Sequence, residues 1–349
     1  MFTQKKNILI AGIAGASLGT EILKCLNLTG KYTVYGCDVA GFAYGHYSAG
    51  FEKTFLIDER GYTEAVMNIC KRYQINLVIP GAEEPMVILN ENSAVLKEES
   101  IHLLGNTPEI VKTFSDKNRT FALLGELGFP VPKTVVYTDA GGLKEMPFPA
   151  VVKPSVGSGG SSFVFFSQHA EEAQIYSEYL IRNGKAPVIQ EYIPDDEGEF
   201  TVGVLHRPNG EYAGCLALKR AFPNKLSVHA RYKNGLISSG YTQGLIDDFP
   251  HVERTARDIA GAVKSRGPLN IQGRVRKSVF MPFEINPRFS ASTYLRAMAG
   301  FNEIDWFIES LYSGEIPVNP DIKHGYYLRS FTEVFVEKDQ VKKEQEKND

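Results

Sequence analysis

The chain has 349 residues, 43% hydrophobic and 23% charged, a composition that supports a sizeable core and excludes disorder and collagen-like repetition. Thirty-eight basic against 41 acidic side chains leave a formal charge of −3. No global field therefore draws the chain to nucleic acid or to an anionic membrane, and small molecules are the expected partners. Cys25, Cys37, Cys70 and Cys215 are far apart, with no CxxC pair, which argues against a zinc site or a disulfide framework and fits a reducing cytoplasm. No apolar run approaches the length of a membrane span, and the first residues lack the pattern of a signal peptide, so the expected location is cytoplasmic.

One core rarely grows past roughly 250–300 residues, so two or three lobes are expected, with a site between them. The first lobe alternates short apolar runs (7–11, 33–37, 77–79) with amphipathic stretches (18–28, 62–73). That βαβ rhythm predicts a parallel sheet with right-handed crossovers. A helix over about 83–97 and a short strand over 101–104 complete it. Thr107-Pro108 opens the next helix, and Ser115-Asp116-Lys117-Asn118 reads as the start of a second, stopped by Gly128.

From Pro130 the texture changes. Short strands punctuated by Pro132, Pro147 and Pro149 are followed by strand-like runs at 188–192, 200–205, 212–218 and 226–232, with hairpin signals at Pro208-Asn209-Gly210 and Asn234-Gly235. A helix at about 252–265, strands at 269–275 and 278–285 and a helix at about 303–312 follow. The expected architecture is an α/β Rossmann-like lobe over 1–106 and an α+β domain over 107–336, whose small lid covers about 130–195. The charged segment 337–349 is expected to be a solvated, frayed end.

Four stretches carry chemistry. Gly12, Gly15 and Gly19 sit between a predicted strand and helix, with Asp38 ending the second strand, the layout of a dinucleotide fold. Their spacing, GxxGxxxG, departs from the dinucleotide fingerprint, and closing a tight turn is the favoured reading. The second stretch is more specific. Lys153 ends a strand and leads into a loop containing Gly157, Gly159 and Gly160 among serines, so one point cation and many backbone and hydroxyl donors converge, which suits a triphosphate. Because the lysine precedes the glycines, this is no Walker A loop.

The third stretch, Gln190-Glu191-Tyr192-Ile193 with Glu199 eight residues after Glu191, could offer backbone groups to an adenine edge and a carboxylate to ribose hydroxyls. Glutamates beside a loop are also commonly just solvated. In the fourth, alternation puts Glu284 and Asn286 on one face of a strand, and an antiparallel neighbour could bring Gln272 beside them. Carboxylate and amide oxygens are hard ligands suited to Mg²⁺. Arg288, two residues further along that face, could clamp a phosphate or carboxylate. A plain hairpin with a solvated acidic face is the competing reading, and the apolar neighbours Val279, Phe280, Met281, Phe283 and Ile285 weigh against it.

Together, Asp116-Lys117 before a helix, Val152-Lys153 with its glycine-rich loop, Gln190-Glu191-Tyr192-Ile193 with Glu199, and Gln272 with Glu284-Ile285-Asn286-Pro287-Arg288 resemble the ATP-grasp superfamily. The likeness is to one synthetase half of the carbamoyl phosphate synthase large subunit, in the stand-alone carboxylate-amine ligase branch. It covers about residues 5–335, and residues 1–106 are similar to the preATP-grasp domain.

The resemblance implies that Lys117 and Lys153 contact ATP phosphates, with Gly159 and Gly160 in the loop that closes over them. Glu191 and Ile193 would meet the adenine and Glu199 the ribose. Gln272, Glu284 and Asn286 would hold Mg²⁺, with Mn²⁺ as a substitute, and Arg288 would steady the transferred phosphoryl group. Carbamoyl phosphate synthase carries a further arginine where this chain has Ala291, so a carboxylate other than bicarbonate is expected. The implied activity joins a small-molecule carboxylate to an amine through an acyl phosphate, with no nucleic acid or membrane partner and a homodimer as one allowed assembly. The alternatives are carbamoyl-phosphate-synthase-like phosphorylation of bicarbonate or carbamate, a nucleotide-binding protein without turnover, and an oxidoreductase using the first lobe. Arg220, Arg231, Lys233, Arg274 and Tyr294 are unranked candidates for substrate contacts.

Overall fold

Asn7-Ile8-Leu9-Ile10-Ala11 has almost no polar face, as expected of a strand covered on both sides. The computed structural model describes residues 5–15, 18–157, 162–223, 225–312, 316–317 and 320–343, and in it this run is the centre of an open sheet. Its elements are β1 (Lys6–Ala11), α1 (Leu18–Thr29), β2 (Tyr32–Asp38), β3 (Lys53–Leu56), α2 (Tyr62–Arg72), β4 (Leu77–Pro80), α3 (Glu83–Glu91), α4 (Ser93–Glu98) and β5 (His102–Leu103). The strands are all parallel, in the order β3-β2-β1-β4-β5. Ile8 and Ile10 pack with Leu18, Ile22 and Leu26 of α1. Leu9 and Ala11 face the other way, onto Val66 and Ile69 of α2 and Leu89 of α3.

Two local expectations fail here. The helix expected over 83–97 is two helices, broken at Asn92 (φ −104°, ψ 17°). The Asn92 side-chain amide donates to the Ile88 carbonyl at 2.8 Å, the local competition that makes asparagine a poor interior helix residue. Strand β3 escaped notice because four residues at a sheet edge carry too little alternation to register.

The glycine turn is closed by its own chain. Asp38 Oδ2 accepts from the Ile13 N–H at 2.7 Å and Oδ1 from the Ala40 N–H at 3.0 Å. A Cβ on Gly19 would lie 2.0 Å from the Gly12 carbonyl oxygen, and one on Gly81 would lie 1.9 Å from it. Close approach of helix and strands to that carbonyl requires glycine at both positions.

α5 (Pro108–Phe114) and α6 (Lys117–Glu126) connect this lobe to the rest. Asp116 caps α6, its carboxylate accepting from the N–H groups of Asn118 (2.8 Å) and Arg119 (3.3 Å). A small antiparallel sheet follows, in the order β6-β9-β7-β8, from β6 (Thr134–Val136), β7 (Ala150–Pro154), β8 (Phe165–Ser167) and β9 (Pro187–Glu191). α7 (Ala170–Arg182) buries Ala173 and Leu180 against Val152 and Ile189, giving this lid a core of its own.

The remaining elements are β10 (Glu199–His206), β11 (Tyr212–Arg220), β12 (Val228–Tyr232), β13 (Gly235–Ser238), β14 (Gly244–Ile246), α8 (Pro250–Ala262), β15 (Pro268–Arg276), β16 (Val279–Asn286), α9 (Thr293–Met298), α10 (Glu303–Tyr312) and β17 (Gly325–Tyr327). Six of the strands form an antiparallel sheet in the order β16-β15-β10-β11-β14-β17. Strand alternation divides its side chains cleanly. Phe200, Val202, Val204, Ile271, Phe280 and Ile285 face α8, against Val252, Ala256 and Ile259. On the opposite face Leu205, Leu216 and Leu218 join a core that runs through α9, α10 and α1 to Ile8 and Ile10. The rest of that second face is polar and forms the floor of a cleft.

The charged tail is not wholly frayed. Lys342 returns to the first lobe, its N–H donating to Tyr47 Oη at 3.0 Å and its Nζ to the Thr54 carbonyl at 3.2 Å. No helix among the described residues is long and apolar enough to cross a membrane.

Candidate active site

Three rows of side chains cross the polar face of the large sheet. Arg220, Glu199 and Arg274 form the first, Thr201, Gln272 and Glu284 the second, and Gly203, Asn270 and Asn286 the third. Directly opposed residues of antiparallel strands point to the same side, so the second and third rows bring Gln272, Glu284 and Asn286 together with Asn270. They line one cleft, enclosing about 1180 Å³ of empty space with its mouth included, between the lid and the large sheet. Lys117, Lys153, Glu191, Ile193 and Arg288 line the same cleft. Gly159 and Gly160 lie outside the described residues.

Two lysines meet at the lid's edge because the chain end of β7 is tied to the start of α6. The Lys117 N–H donates to the Ser155 carbonyl at 2.9 Å, and the Ser155 hydroxyl donates to Asp116 Oδ1 at 2.6 Å. Lys153 Nζ donates to Gln190 Oε1 at 2.8 Å and, across to the large sheet, to the Phe283 carbonyl at 3.0 Å. Burial, helped by the nearby charge of Lys117 and partly opposed by Glu284, lowers the Lys153 pKa to about 7. An anionic ligand placed here would restore the missing countercharge.

At the far side of the polar rows, Arg288 Nη1 donates to the Phe289 carbonyl at 3.1 Å, and Nη2 lies 3.4 Å from Asn286 Oδ1. Its Nε is buried without a partner. Burial lowers its pKa, against the opposing charges of Glu83 and Glu284. Glu83, at the start of α3, is the first lobe's contribution to the cleft wall.

Glu199 departs from the expected arrangement, and the Glu191 carboxylate and Ile193 carbonyl already have protein partners. Glu199 does not line the cleft: it is 1% exposed, with Oε1 accepting from Arg220 Nη1 at 2.8 Å and Oε2 from Arg274 Nε at 2.8 Å. Burial pushes its pKa up, but the two guanidinium groups outweigh that and hold it below the usual carboxylate range. Its oxygens are therefore spent on a buried triad and not offered to a ribose. The same triad engages the guanidinium groups of Arg220 and Arg274, and Arg274 also lines the cleft. Glu191 does line the cleft, yet its carboxylate is engaged by Arg276 and by the Lys133 N–H. The Ile193 carbonyl likewise accepts from Arg274 Nη1 at 2.7 Å.

Other residues of the site were not singled out from sequence. Asn270 shares the face of Gln272 by simple alternation, so the period of two already pointed to it. Thr201, Ser290 and Ser292 also line the cleft, and nothing local distinguishes them from ordinary core or loop residues. Glu83 arrives from a different lobe, and no sequence spacing reports that.

A family model for the ATP-grasp domain matches residues 114–292, just over half of the chain. The carbamoyl phosphate synthase large chain of Streptomyces coelicolor is 26% identical over 203 residues, covering 57% of this chain and 18% of that one. The corresponding large chain of Saccharolobus solfataricus is 24% identical over 333 residues, covering 90% of this chain and 30% of that one. The chain thus spans less than a third of the length of either relative.

Among solved structures, the biotin carboxylase domain of 2-oxoglutarate carboxylase from Hydrogenobacter thermophilus, in complex with MgADP and bicarbonate, superimposes with a TM-score of 0.67 at 15% identity, covering 93% of this chain and 74% of that one. The L-amino acid ligase of Bacillus licheniformis gives a TM-score of 0.65 at 15% identity, covering 88% and 74%. These likenesses show the fold, and the family match, centred on the lid and the polar rows, shows the lineage: the chain belongs to the ATP-grasp domain family.

Proposed function

We propose that the protein is an ATP-dependent carboxylate-amine ligase that works through an acyl phosphate. One observation carries this reading. Lys117, Lys153, Gln272, Glu284, Asn286 and Arg288, drawn from three separate parts of the chain, line a single cleft. In that reading the triphosphate lies along Lys117 and Lys153, and the adenine sits in the apolar part of the cleft by Val151, Val164, Tyr192 and Ile193. Arg276, which engages Glu191, leaves that carboxylate as a wall of the adenine site.

The donor set fits Mg²⁺. Gln272, Glu284 and Asn286 present oxygen ligands from adjacent rows, the hard, partial set that this ion completes with water and phosphate. When bound, the ion would neutralise charge between the β- and γ-phosphates. The chain's own residues do the rest. Arg288, planar and bidentate, orients the carboxylate for in-line attack on the γ-phosphorus. One carboxylate oxygen bonds to that phosphorus as its bond to the bridging oxygen breaks, and ADP leaves. The amine then attacks the acyl carbon, loses a proton, and phosphate departs. Positioning and charge are sufficient for this chemistry, so no nucleophilic side chain is required.

An organic acid suits the cleft better than bicarbonate. Ser238, Ser239, Gly240, Thr242, Ser290, Ala291 and Ser292 also line the cleft, and such small side chains are compatible with a substituted acid. Glu284→Gln and Asn286→Ala test the reading. Each is expected to lower acid-dependent ADP release by at least about a hundredfold at ordinary Mg²⁺, with partial rescue by excess Mg²⁺. Full activity in either variant contradicts the metal assignment.

A further inference from the structure

The loop that follows Arg288 is held from beneath by a buried arginine, and the hydrogen-bond inventory fixes where its hydroxyl protons point. Arg296 is fully buried. Its Nη1 donates to Ser292 Oγ at 2.8 Å and its Nη2 to Ser290 Oγ at 3.0 Å, while Glu303 Oε1 accepts from Nη2 at 2.5 Å. Room for this guanidinium depends on Gly203, where a Cβ would lie 2.4 Å from Arg296 Nε.

A hydroxyl offers one proton and two acceptor positions, and a guanidinium can only donate. Ser290 Oγ accepts from Arg296 and from the Ser292 N–H at 3.3 Å, so its proton goes to Ser292 Oγ, 2.8 Å away. Ser292 Oγ then accepts from both Arg296 and Ser290, and its own proton is left over. Among the described residues its further hydrogen-bond contact is Thr201 Oγ1, at a long 3.5 Å. Thr201 spends its proton on Asn270 Oδ1 at 2.8 Å. That contact engages the Asn270 amide oxygen and leaves its NH₂ as the group this residue can offer to the cleft it lines, opposite Asn286 in the register.

We propose that the Ser292 hydroxyl, locked as a donor by Arg296 and Ser290, and the Asn270 NH₂ form a subsite for an anionic oxygen of the substrate acid, next to Arg288. Two neutral donors thereby stand in the region where Ala291 supplies no charge. Asn270 is accordingly a donor to the ligand and no part of the metal set. This assignment rests on the ligase reading of the cleft and adds the orientation of the acid.

The test uses the full chain with a non-hydrolysable MgATP analogue and, as probes, acetate, glycine, succinate and inorganic phosphate, with binding followed by calorimetry. In the wild-type protein saturated with the analogue, at least one carboxylate is expected to bind. Ser292→Ala should weaken that carboxylate about tenfold or more while leaving the analogue's affinity within twofold. Ser290→Ala, which frees Ser292 from its lock, should weaken it less; each variant removes one acceptor of the buried Arg296 and should lower the melting temperature, with the retained affinity for the analogue reporting that the cleft stays folded. Unchanged carboxylate affinity in Ser292→Ala overturns the proposal, as does loss of phosphate binding alone, which would assign the donors to the γ-phosphoryl group. If the analogue binds and no carboxylate does, the subsite is refuted and the nucleotide site stands. If the analogue itself fails to bind, the ligase reading falls with it.

Discussion

Lys153 shows how a single residue links stability to function. Its pKa lies near 7 instead of the ordinary 10.5 because it is buried and faces Lys117. Between those two values the unfolded chain holds more protons than the folded one, so this group makes stability rise with pH from about 7 to about 10.5 and fall as pH drops back. Lys153→Met should therefore raise the melting temperature of the nucleotide-free protein at pH 7 and flatten its pH dependence, while abolishing tight MgATP binding. The wild type should take up about one proton on binding MgATP at pH 8, because the triphosphate restores the charged amine. Calorimetry in buffers of different ionisation enthalpy measures that uptake. Binding without proton uptake would place the phosphates elsewhere.

At the scale of elements, the deciding feature is the register of three antiparallel strands. The expectation that an antiparallel neighbour could bring Gln272 beside Glu284 rests on the alternation of faces along a strand, and the register pairs Gln272 with Glu284. The fate of Glu199 was not legible in the same way. Its partner Arg274 is opposite it on β15, and Arg220 comes from the far end of β11. They lie 21 and 75 residues away in sequence and meet Glu199 only through the sheet, so the local motif alone points that carboxylate at a ligand. The helices were legible where caps were strong, as at Asp116, and misread where Asn92 breaks one. The buried triad yields its own prediction. Glu199→Gln leaves two guanidinium groups without a countercharge and should cost about 3–5 kcal/mol in denaturant unfolding. A stable variant with weakened ATP binding would restore the ribose assignment.

Across the whole molecule, the first lobe and the large sheet share one apolar core, and Lys31 and Tyr32 bind Asp305 of α10 at 3.0 and 2.7 Å. Arg329 joins the same assembly by binding Glu21 of α1 at 2.7 Å and donating to the Ala291 carbonyl beside the cleft. The lid has a core of its own and meets the large sheet through Lys153 to Phe283 and Glu191 to Arg276, while Phe166 packs with Tyr232 and Ile237 of the β12–β13 hairpin. A cover packed over the polar floor suits the proposed reaction, which must exclude water from an acyl phosphate. That intermediate is the central claim, and the path of one oxygen atom tests it most directly. With an acid that supports ADP release, labelled with ¹⁸O in its carboxylate, one labelled oxygen should appear in inorganic phosphate by ³¹P NMR, together with unlabelled ADP. Label recovered in AMP, with pyrophosphate as the co-product, would show an adenylate and contradict the account.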